Sequence, residues 1–140
     1  MVKKLLYSTI LMLVFVSCDN YKNYRLDGMW QLKTVREIDG KEVGVDTVFY
    51  SFQREAVFSY TLLDTQKFAS YPFYGYVDML SDSKIRILIN NGSDSSYTEW
   101  FLSLSGWSSA DIVFDIKNSN NTNLVLFDNG NGKTYTLKKF

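Results

Sequence analysis

The sequence contains no histidine, one cysteine and one proline, and each scarcity excludes something. Without histidine there is no Ser-His-Asp triad, no histidine-ligated metal and no use of the most frequent general base in enzymes. The single cysteine, Cys18, excludes an internal disulfide. The single proline, Pro72, falls near the start of a predicted strand, where a missing backbone donor does least harm.

An excess of charge of one sign is also lacking. The chain carries 15 basic and 15 acidic side chains, and Lys3 and Lys4 belong to a predicted signal peptide, so the remainder is slightly acidic. A chain with this balance has no excess positive charge to attract nucleic acid, so we do not expect nucleic acid as a partner. Hydrophobic residues make up 46% of the chain, which is enough for one domain with a single core.

Residues 1–17 are predicted to be a lipoprotein signal peptide. Lys3 and Lys4 give a positive start, and the apolar run of residues 5–16 is shorter than the roughly 20 residues that a permanent membrane span needs. The run ends in Phe15-Val16-Ser17-Cys18, which resembles the lipobox of bacterial lipoproteins, in which the cysteine is diacylated and becomes the new N-terminus. The alternative is that Cys18 is an ordinary small residue after another kind of cleavage site.

Residues 18–25 are polar and are predicted to be a lipidated tether that holds a domain off the membrane. Two or three acyl chains anchor a protein stably, whereas one chain binds marginally. We therefore expect the membrane as a partner, through acylated Cys18, and the cell envelope as the location. The outer membrane is favoured over the inner one, although Asp19 resembles an inner-membrane retention signal of some Gram-negative bacteria, and the face is open.

Residues 26–140 are predicted to form one all-β domain, because apolar and polar residues alternate in successive short runs. Asp39-Gly40 and Arg54-Glu55 are predicted to make tight turns, and a shift in the apolar positions near Lys33 or Thr34 predicts a bulge. The rhythm is typical of an antiparallel sandwich or barrel, and eight strands closed into a barrel are either filled by side chains or hold one small ligand. The eight predicted strands are Met29–Ile38, Thr47–Gln53, Ala56–Leu63, Ser70–Leu80, Lys84–Asn90, Asp111–Lys117, Leu124–Phe127 and Thr134–Phe140.

One segment follows the helical period instead. Ser96 and Glu99 match a capping box and Gly106 is a stop signal, so the pattern predicts one short helix near Ser96–Leu104, across a mouth of the barrel or against its wall. The less favoured alternative is a strand from Glu99 to Leu104. The residues at helical spacing are Tyr97, Trp100, Phe101 and Leu104.

Gly28-Met29-Trp30 on the first strand, the eight antiparallel strands and the closing segment Tyr135–Phe140 resemble the short lipocalin-like, calycin-type lipoproteins of Bacteroidota. The resemblance implies a lipocalin-like up-and-down barrel. In lipocalins a Gly-x-Trp places the indole across the closed end of the barrel, where a basic side chain of the last strand stacks on it. The resemblance therefore implies that Gly28 and Trp30 form a structural plug, covered by Lys138 or Lys139. Without the resemblance, Trp30 could equally be a residue that only fills the core.

A surplus of aromatic residues provides the candidate ligand site. Because ligand sites are mostly apolar, the first functional hypothesis is a small apolar or amphipathic ligand in the barrel mouth. The alternative is a filled barrel that acts as an envelope protein-interaction module and presents Tyr74, Tyr76 and the loop Asn91–Ser96. The predicted ligand-binding residues are Tyr60, Tyr71, Phe73, Tyr97, Trp100, Phe101 and Trp107.

No residue pattern predicts an enzyme, a cofactor or a metal site. The carboxylate pairs Asp78 with Asp82 and Asp111 with Asp115 lie at strand ends or on polar faces, which favours solvated surface roles. The segment 128–132 resembles a calcium loop only superficially, because Gly130 occupies the third position, where an oxygen ligand is needed, and no glutamate closes the loop, so it is predicted to be a hairpin turn.

Overall fold

The computed structural model describes residues 25–89 and 94–140. The predicted signal peptide, the predicted lipidation at Cys18 and the tether as far as Tyr24 lie outside these residues. So do Asn90, predicted to end a strand, and residues 91–93 of the loop proposed to face a partner. The elements in chain order are β1 (Gly28–Arg36), β2 (Glu42–Gly44), β3 (Val48–Gln53), β4 (Val57–Asp64), β5 (Ala69–Ser81), β6 (Lys84–Ile89), α1 (Ser95–Ser105), β7 (Asp111–Ser119), β8 (Asn123–Asp128) and β9 (Lys133–Lys139).

Eight antiparallel strands close into a barrel, which confirms the predicted fold. From β3 to β9 each strand pairs with the next along the chain, β1 pairs with β3, and the pairing of β1 with β9 closes the ring. The short strand β2 lies outside this count, because it continues along β1 beyond the point where β3 ends its pairing. The order is that of an up-and-down barrel.

Alternation of inward and outward side chains explains the strands. In β6 the three isoleucines, at positions 85, 87 and 89, are buried while the residues between them are exposed, as the sequence predicted. In β1 the alternation changes where the register with β9 shifts between Leu32 and Thr34, which confirms the predicted bulge. The bulge lets Val35 and Tyr135 face each other after the change of register.

The two ends of the barrel differ. One end, which we call the base, holds the start of β1, the turns β3–β4, β5–β6 and β7–β8, and the last residues of β9. The other end, the mouth, holds the turns β4–β5 and β8–β9 and the segment that contains α1. The chain therefore reaches the barrel at the base, and α1 lies at the mouth.

The helix prediction is confirmed, but its first capping residue was wrong. Residues Ser95–Ser105 form α1, which ends at Gly106 in the left-handed conformation with a φ of 69°. The N-cap is Asp94 and not Ser96, because the Asp94 carboxylate accepts hydrogen bonds from the backbone N–H groups of Ser96 and Tyr97, at 2.9 and 3.4 Å. None of the helices formed by residues 25–89 and 94–140 has the length and apolar character of a membrane span.

Candidate functional site

The structure gathers the seven predicted ligand-binding residues at the mouth. They come from three places: β4 and β5 of the wall, α1, and the second residue after the helix. Ring contacts join them into one cluster, for example Phe101 with Tyr60 at 5.2 Å and with Trp107 at 5.0 Å between ring centroids. Tyr71 and Trp100 extend the cluster outward, with centroids 5.8 Å apart. The seven members are Tyr60, Tyr71, Phe73, Tyr97, Trp100, Phe101 and Trp107.

These rings pack on one another at the mouth. Tyr60, Phe73, Phe101 and Trp107 are buried, whereas the indole residue Trp100 is 45% exposed. Edge and tilted contacts of this kind are the favourable arrangement of aromatic pairs. The four buried members therefore use their ring surfaces to contact one another. The ligand-binding role of the seven residues remains a prediction.

Two tyrosine hydroxyls of the wall hold the end of α1. The last carbonyls of a helix have no partner within it, and here the Tyr60 hydroxyl donates to the carbonyl of Leu104 at 3.5 Å. The Tyr135 hydroxyl donates to the carbonyl of Gly106 at 3.0 Å, and that carbonyl also accepts from the Asn131 side chain at 2.8 Å. The helix is thus fixed to the mouth by polar contacts as well as by packing.

A third tyrosine lies deeper. The Trp107 indole N–H donates to the hydroxyl of the fully buried Tyr50 at 2.8 Å. Burial raises the pKa of Tyr50, and it also raises the pKa of Tyr60 and of Tyr135. The alternation of β3 and β9 places Tyr50 and Tyr135 inward, but their partners come from the segment after the helix, so sequence reasoning missed both as members of the site.

A buried carboxylate anchors the segment that follows α1. Asp128 is fully buried, and its two oxygens accept from the backbone N–H and the hydroxyl of Ser108, at 2.8 and 2.6 Å. The backbone N–H of Gly130 donates to the same side chain at 2.9 Å. Asp128 ends β8 beside a tight turn, as predicted for this segment, and its bonds fix Trp107 in the core. Within the described ranges, no group of three or more His, Cys, Asp or Glu side chains is arranged to hold a metal ion.

At the base, the structure places Trp30 in the buried core and Lys139 over it. The Trp30 indole N–H donates to the carbonyl of Leu26 at 2.9 Å, and the Lys139 ammonium lies 4.6 Å from the ring centroid. The same ammonium donates to the carbonyl of Asp27. Gly28 has a φ of 116° and lies where any Cβ would collide with the Lys139 side chain. Lys138 points to the other face of β9 and is exposed.

The base is also tied to the β3–β4 turn. Arg54 and Glu55 both adopt left-handed backbone angles, with φ of 54° and 48°, which residues other than glycine rarely do. The Glu55 N–H donates to the carboxylate of Asp27 at 3.1 Å, and the Glu55 carboxylate accepts from the N–H of Leu26 at 3.3 Å. The segment before β1 therefore stabilises the β3–β4 turn, in which Arg54 and Glu55 adopt backbone angles that non-glycine residues disfavour.

An exposed apolar surface lies on the outer wall. It consists of Val57, Tyr74, Tyr76 and Leu88, each between 39% and 60% exposed, and we call it the wall patch. The strand register makes it continuous, because Tyr76 lies opposite Val57 on β4 and opposite Leu88 on β6. A groove of about 110 Å³ runs along it between Tyr76, Leu88 and the polar pair of Asp78 and Arg86.

In one of the two candidate carboxylate pairs, Asp111 and Asp115 each bind a cation instead of each other. The Arg86 guanidinium binds both oxygens of Asp111, at 2.8 and 2.7 Å, and its hydrogen bond lowers the pKa of that carboxyl. Lys84 binds Asp115 at 2.6 Å and likewise lowers its pKa. Arg86 and Asp111 therefore form a charged border beside the wall patch.

A second apolar feature lies at the tip of the β4–β5 hairpin, at the mouth. Phe68 is 96% exposed and has a left-handed backbone with a φ of 50°, which is unusual for a bulky side chain. With Leu63 and Ser70 it borders a cleft of about 330 Å³. A third cleft, of about 410 Å³, opens at the base beside Arg25 and Asp82. All three clefts lie outside the aromatic cluster.

Two solved structures resemble this chain over most of its length. A lipocalin-like protein from Bacteroides uniformis is 27% identical, with a TM-score of 0.68 over 83% of this chain and 99% of the other. An uncharacterised protein from Bacteroides eggerthii is 24% identical, with a TM-score of 0.70 over 82% of this chain and 99% of the other, which supports the shared fold. A search of curated proteins gave no match.

The sequence itself matches a family model described as a lipocalin-like domain, over residues 11–140. That range includes every strand of the barrel, the plug at the base and the helix at the mouth. The chain therefore belongs to the lipocalin-like domain family.

Proposed function

We propose that this protein is a lipid-anchored protein of the cell envelope whose filled barrel binds another protein through the wall patch. The observation that carries the proposal is the wall patch itself, four exposed apolar side chains on three neighbouring strands, with three of the side chains in register. Contiguous exposed apolar surface with a polar border is typical of protein interaction sites. Two of its four members are tyrosines, a residue type enriched in such interfaces.

The packing of the interior supports a binding surface on the outside of the barrel. A lipocalin-like barrel that carries a ligand inside needs a cavity, and here large aromatic rings from the wall and from α1 meet in the centre. Phe101 of α1 is fully buried among them. The core therefore serves as a rigid support for the strands that display the patch.

The partner we propose is a protein with an apolar segment and charged neighbours. Asp78, Arg86 and Asp111 border the patch, and Arg86 already binds Asp111 in a bidentate pair. A complementary partner would place an apolar side chain in the groove between Tyr76 and Leu88, and polar groups beside the Arg86–Asp111 ion pair. Anchoring through Cys18, as the lipobox predicts, would hold this surface at the membrane.

A second candidate function is favoured by the cleft at the β4–β5 hairpin. Its volume of about 330 Å³ lies at the low end of small-molecule pockets, and Leu63 and Phe68 give it apolar walls. A small apolar ligand would bind here, at the outer edge of the mouth, and not within the aromatic cluster. Trp100 lies at the same end of the barrel, where its ring contacts Tyr71, the residue after Ser70 of the cleft.

The protein-binding proposal is tested by crosslinking from the patch. The lipidated full-length chain carries a photoreactive benzoylphenylalanine in place of Tyr76 and is irradiated in native membranes. We expect a discrete crosslinked species that disappears when Leu88→Asp is added. The matched control is Val43→Asp, which places the same charge on a residue of similar exposure in β2, far from the patch, and should leave the crosslink unchanged.

The outcomes separate the two candidates. No crosslink from position 76 above that from a photoreactive residue at position 43 would overturn the protein-binding proposal. The ligand candidate is tested by titrating the purified lipoprotein in detergent with a fluorescent fatty acid. It predicts saturable binding that Phe68→Ser weakens at least severalfold and Tyr76→Ser does not, and an absence of saturable binding contradicts it.

A further inference from the structure

A second exposed apolar surface lies at the base, beside the point where the chain reaches the barrel. Met29 of β1 is 44% exposed and Phe140 is 75% exposed. The rings of Phe140 and Phe49 meet edge to face with centroids 5.0 Å apart, and the Phe140 N–H donates to the carbonyl of Met29 at 2.9 Å. With Lys138 these residues form what we call the base patch: Met29, Phe49, Lys138 and Phe140.

The length of chain that precedes the barrel restricts what this surface faces. Arg25, the first described residue, lies seven residues after Cys18. However those seven residues fold, they span at most about 25 Å, because an extended chain advances roughly 3.3–3.6 Å per residue. If Cys18 is acylated, the base is therefore held near the lipid headgroups, and the short connection gives it a high effective concentration there.

The charges of the base suit an anionic surface. Lys138 is exposed within the patch, and Arg54 is exposed in the neighbouring β3–β4 turn. The mouth also carries exposed acids, with Asp39 in the β1–β2 turn, Asp94 at the N-cap of α1 and Glu99 within α1, although Lys41 and Lys67 are exposed in its turns. Basic residues next to a membrane anchor are attracted to anionic headgroups, while exposed apolar side chains enter the interface.

We propose that the base patch lies on the lipid surface, with Met29 and Phe140 in the interface and Lys138 at anionic headgroups. This inference rests on the proposed lipidation of Cys18. It is also compatible with the wall patch, because the base patch lies on β9, β1 and β3 and the wall patch on β4, β5 and β6, so the two surfaces share no strand. A barrel that rests on its base patch therefore leaves the wall patch free for a partner.

The experiment locates a fluorophore relative to the bilayer. The lipidated full-length chain with Met29→Cys, or with Tyr76→Cys or Thr65→Cys for comparison, is labelled with nitrobenzoxadiazole and reconstituted into phosphatidylcholine vesicles containing phosphatidylglycerol. Acylation consumes the Cys18 thiol, so only the introduced cysteine reacts. We expect the label at position 29 to be at least threefold less quenched by aqueous iodide than the label at position 76 or 65, and to be quenched by lipids with a nitroxide on the acyl chain.

The charge contribution is tested with the same label. Lys138→Glu should reduce the protection at position 29 at least twofold, and omission of phosphatidylglycerol should do the same. Lys41→Glu, a matched reversal in the exposed β1–β2 turn at the mouth, should leave the protection unchanged.

Equal iodide quenching at positions 29 and 76 on vesicle-bound protein would overturn this inference and leave the proposed anchoring intact. Labelling of the unsubstituted chain at Cys18, or failure of the protein to float with vesicles, would instead overturn the anchoring and this inference with it. Protection at position 29 that Lys138→Glu does not alter would overturn the role of anionic headgroups.

Discussion

The base and the mouth of the barrel are closed by different kinds of interaction. At the base, the segment before β1 folds under the barrel, and Trp30 and Lys139 hold it through bonds to the carbonyls of Leu26 and Asp27. At the mouth, a separate helix inserts Phe101 into a cluster of rings. The base is thus closed by residues 26–30 with Lys139 and the β3–β4 turn. The mouth is closed by α1 and the segment after it, together with side chains of β3, β4, β5, β8 and β9. The closure at the mouth depends on more partners, and we therefore expect the mouth to open before the base when the protein is destabilised.

The largest expected effect is alkaline unfolding driven from the mouth. Burial raises the pKa of Tyr50, Tyr60 and Tyr135 above the 10.0 of a free tyrosine, so their contribution to stability is fully present below pH 10 and is lost as the pH rises further. We expect tyrosinate absorbance to rise in two phases, the second together with the loss of strand circular dichroism. Tyr60→Phe should reduce the second phase, and a single phase in the folded protein would contradict the burial of these hydroxyls.

Removing the aromatic centre of the mouth is the next largest change. Phe101→Ala deletes a fully buried ring and should lower the free energy of unfolding by about 3–5 kcal/mol, measured by urea denaturation. Trp100→Ala is the matched control on the same helix, since its indole is 45% exposed and its loss should cost clearly less. If the two substitutions cost the same, α1 does not plug the mouth through Phe101.

The polar anchor of the mouth should have an intermediate effect. Asp128→Ala leaves the N–H groups of Ser108 and Gly130 without their acceptor, which should cost about 1–3 kcal/mol in the same assay. Because Ser108 follows Trp107, we also expect the fluorescence of the folded variant to shift to longer wavelength. An unchanged spectrum would show that Asp128 does not position Trp107.

The smallest effect is expected at the base. Lys139→Ala removes a cation over the Trp30 ring and a donor to Asp27, and a largely exposed cation–π contact is worth about 0.5–1 kcal/mol. Lys138→Ala is the control, because it removes the same side chain from the adjacent position on the opposite face of β9, and it should be near neutral. Equal losses for the two lysines would contradict the assignment of Lys139 as the cover of Trp30.

The sequence predicts the barrel well because the governing signals are local. Period-two alternation marks each strand, as in the three buried isoleucines of β6. Gly106 ends the helix because glycine, which has no Cβ, adopts the left-handed backbone angle without steric cost. The Gly28-to-Trp30 motif likewise lies within three residues, and its resemblance to lipocalin-like proteins led to the family that the chain belongs to.

The mouth was harder to predict because its contacts join distant residues. Tyr135 meets Gly106 across 29 residues, and Trp107 meets Tyr50 across 57. Alternation places these side chains inside but does not say which groups they bind or whether a space remains between them. The prediction of Ser96 as the helix cap was wrong for a smaller reason, since aspartate and serine both cap well and Asp94 lies only two residues before Ser96.

The closure of β1 on β9 has a consequence for how the chain folds. Every other pair of neighbouring strands in the described barrel is joined by a hairpin or a short excursion, whereas Trp30 and its partner Lys139 are separated by more than a hundred residues. Long-range pairing is slow, because the entropy of closing a large loop is lost before any contact forms. We therefore expect the hairpins to assemble first as an open, curved sheet, and the β1–β9 seam to form in the rate-limiting step. Until that seam closes, two unpaired strand edges are exposed, and aggregation during refolding should begin there.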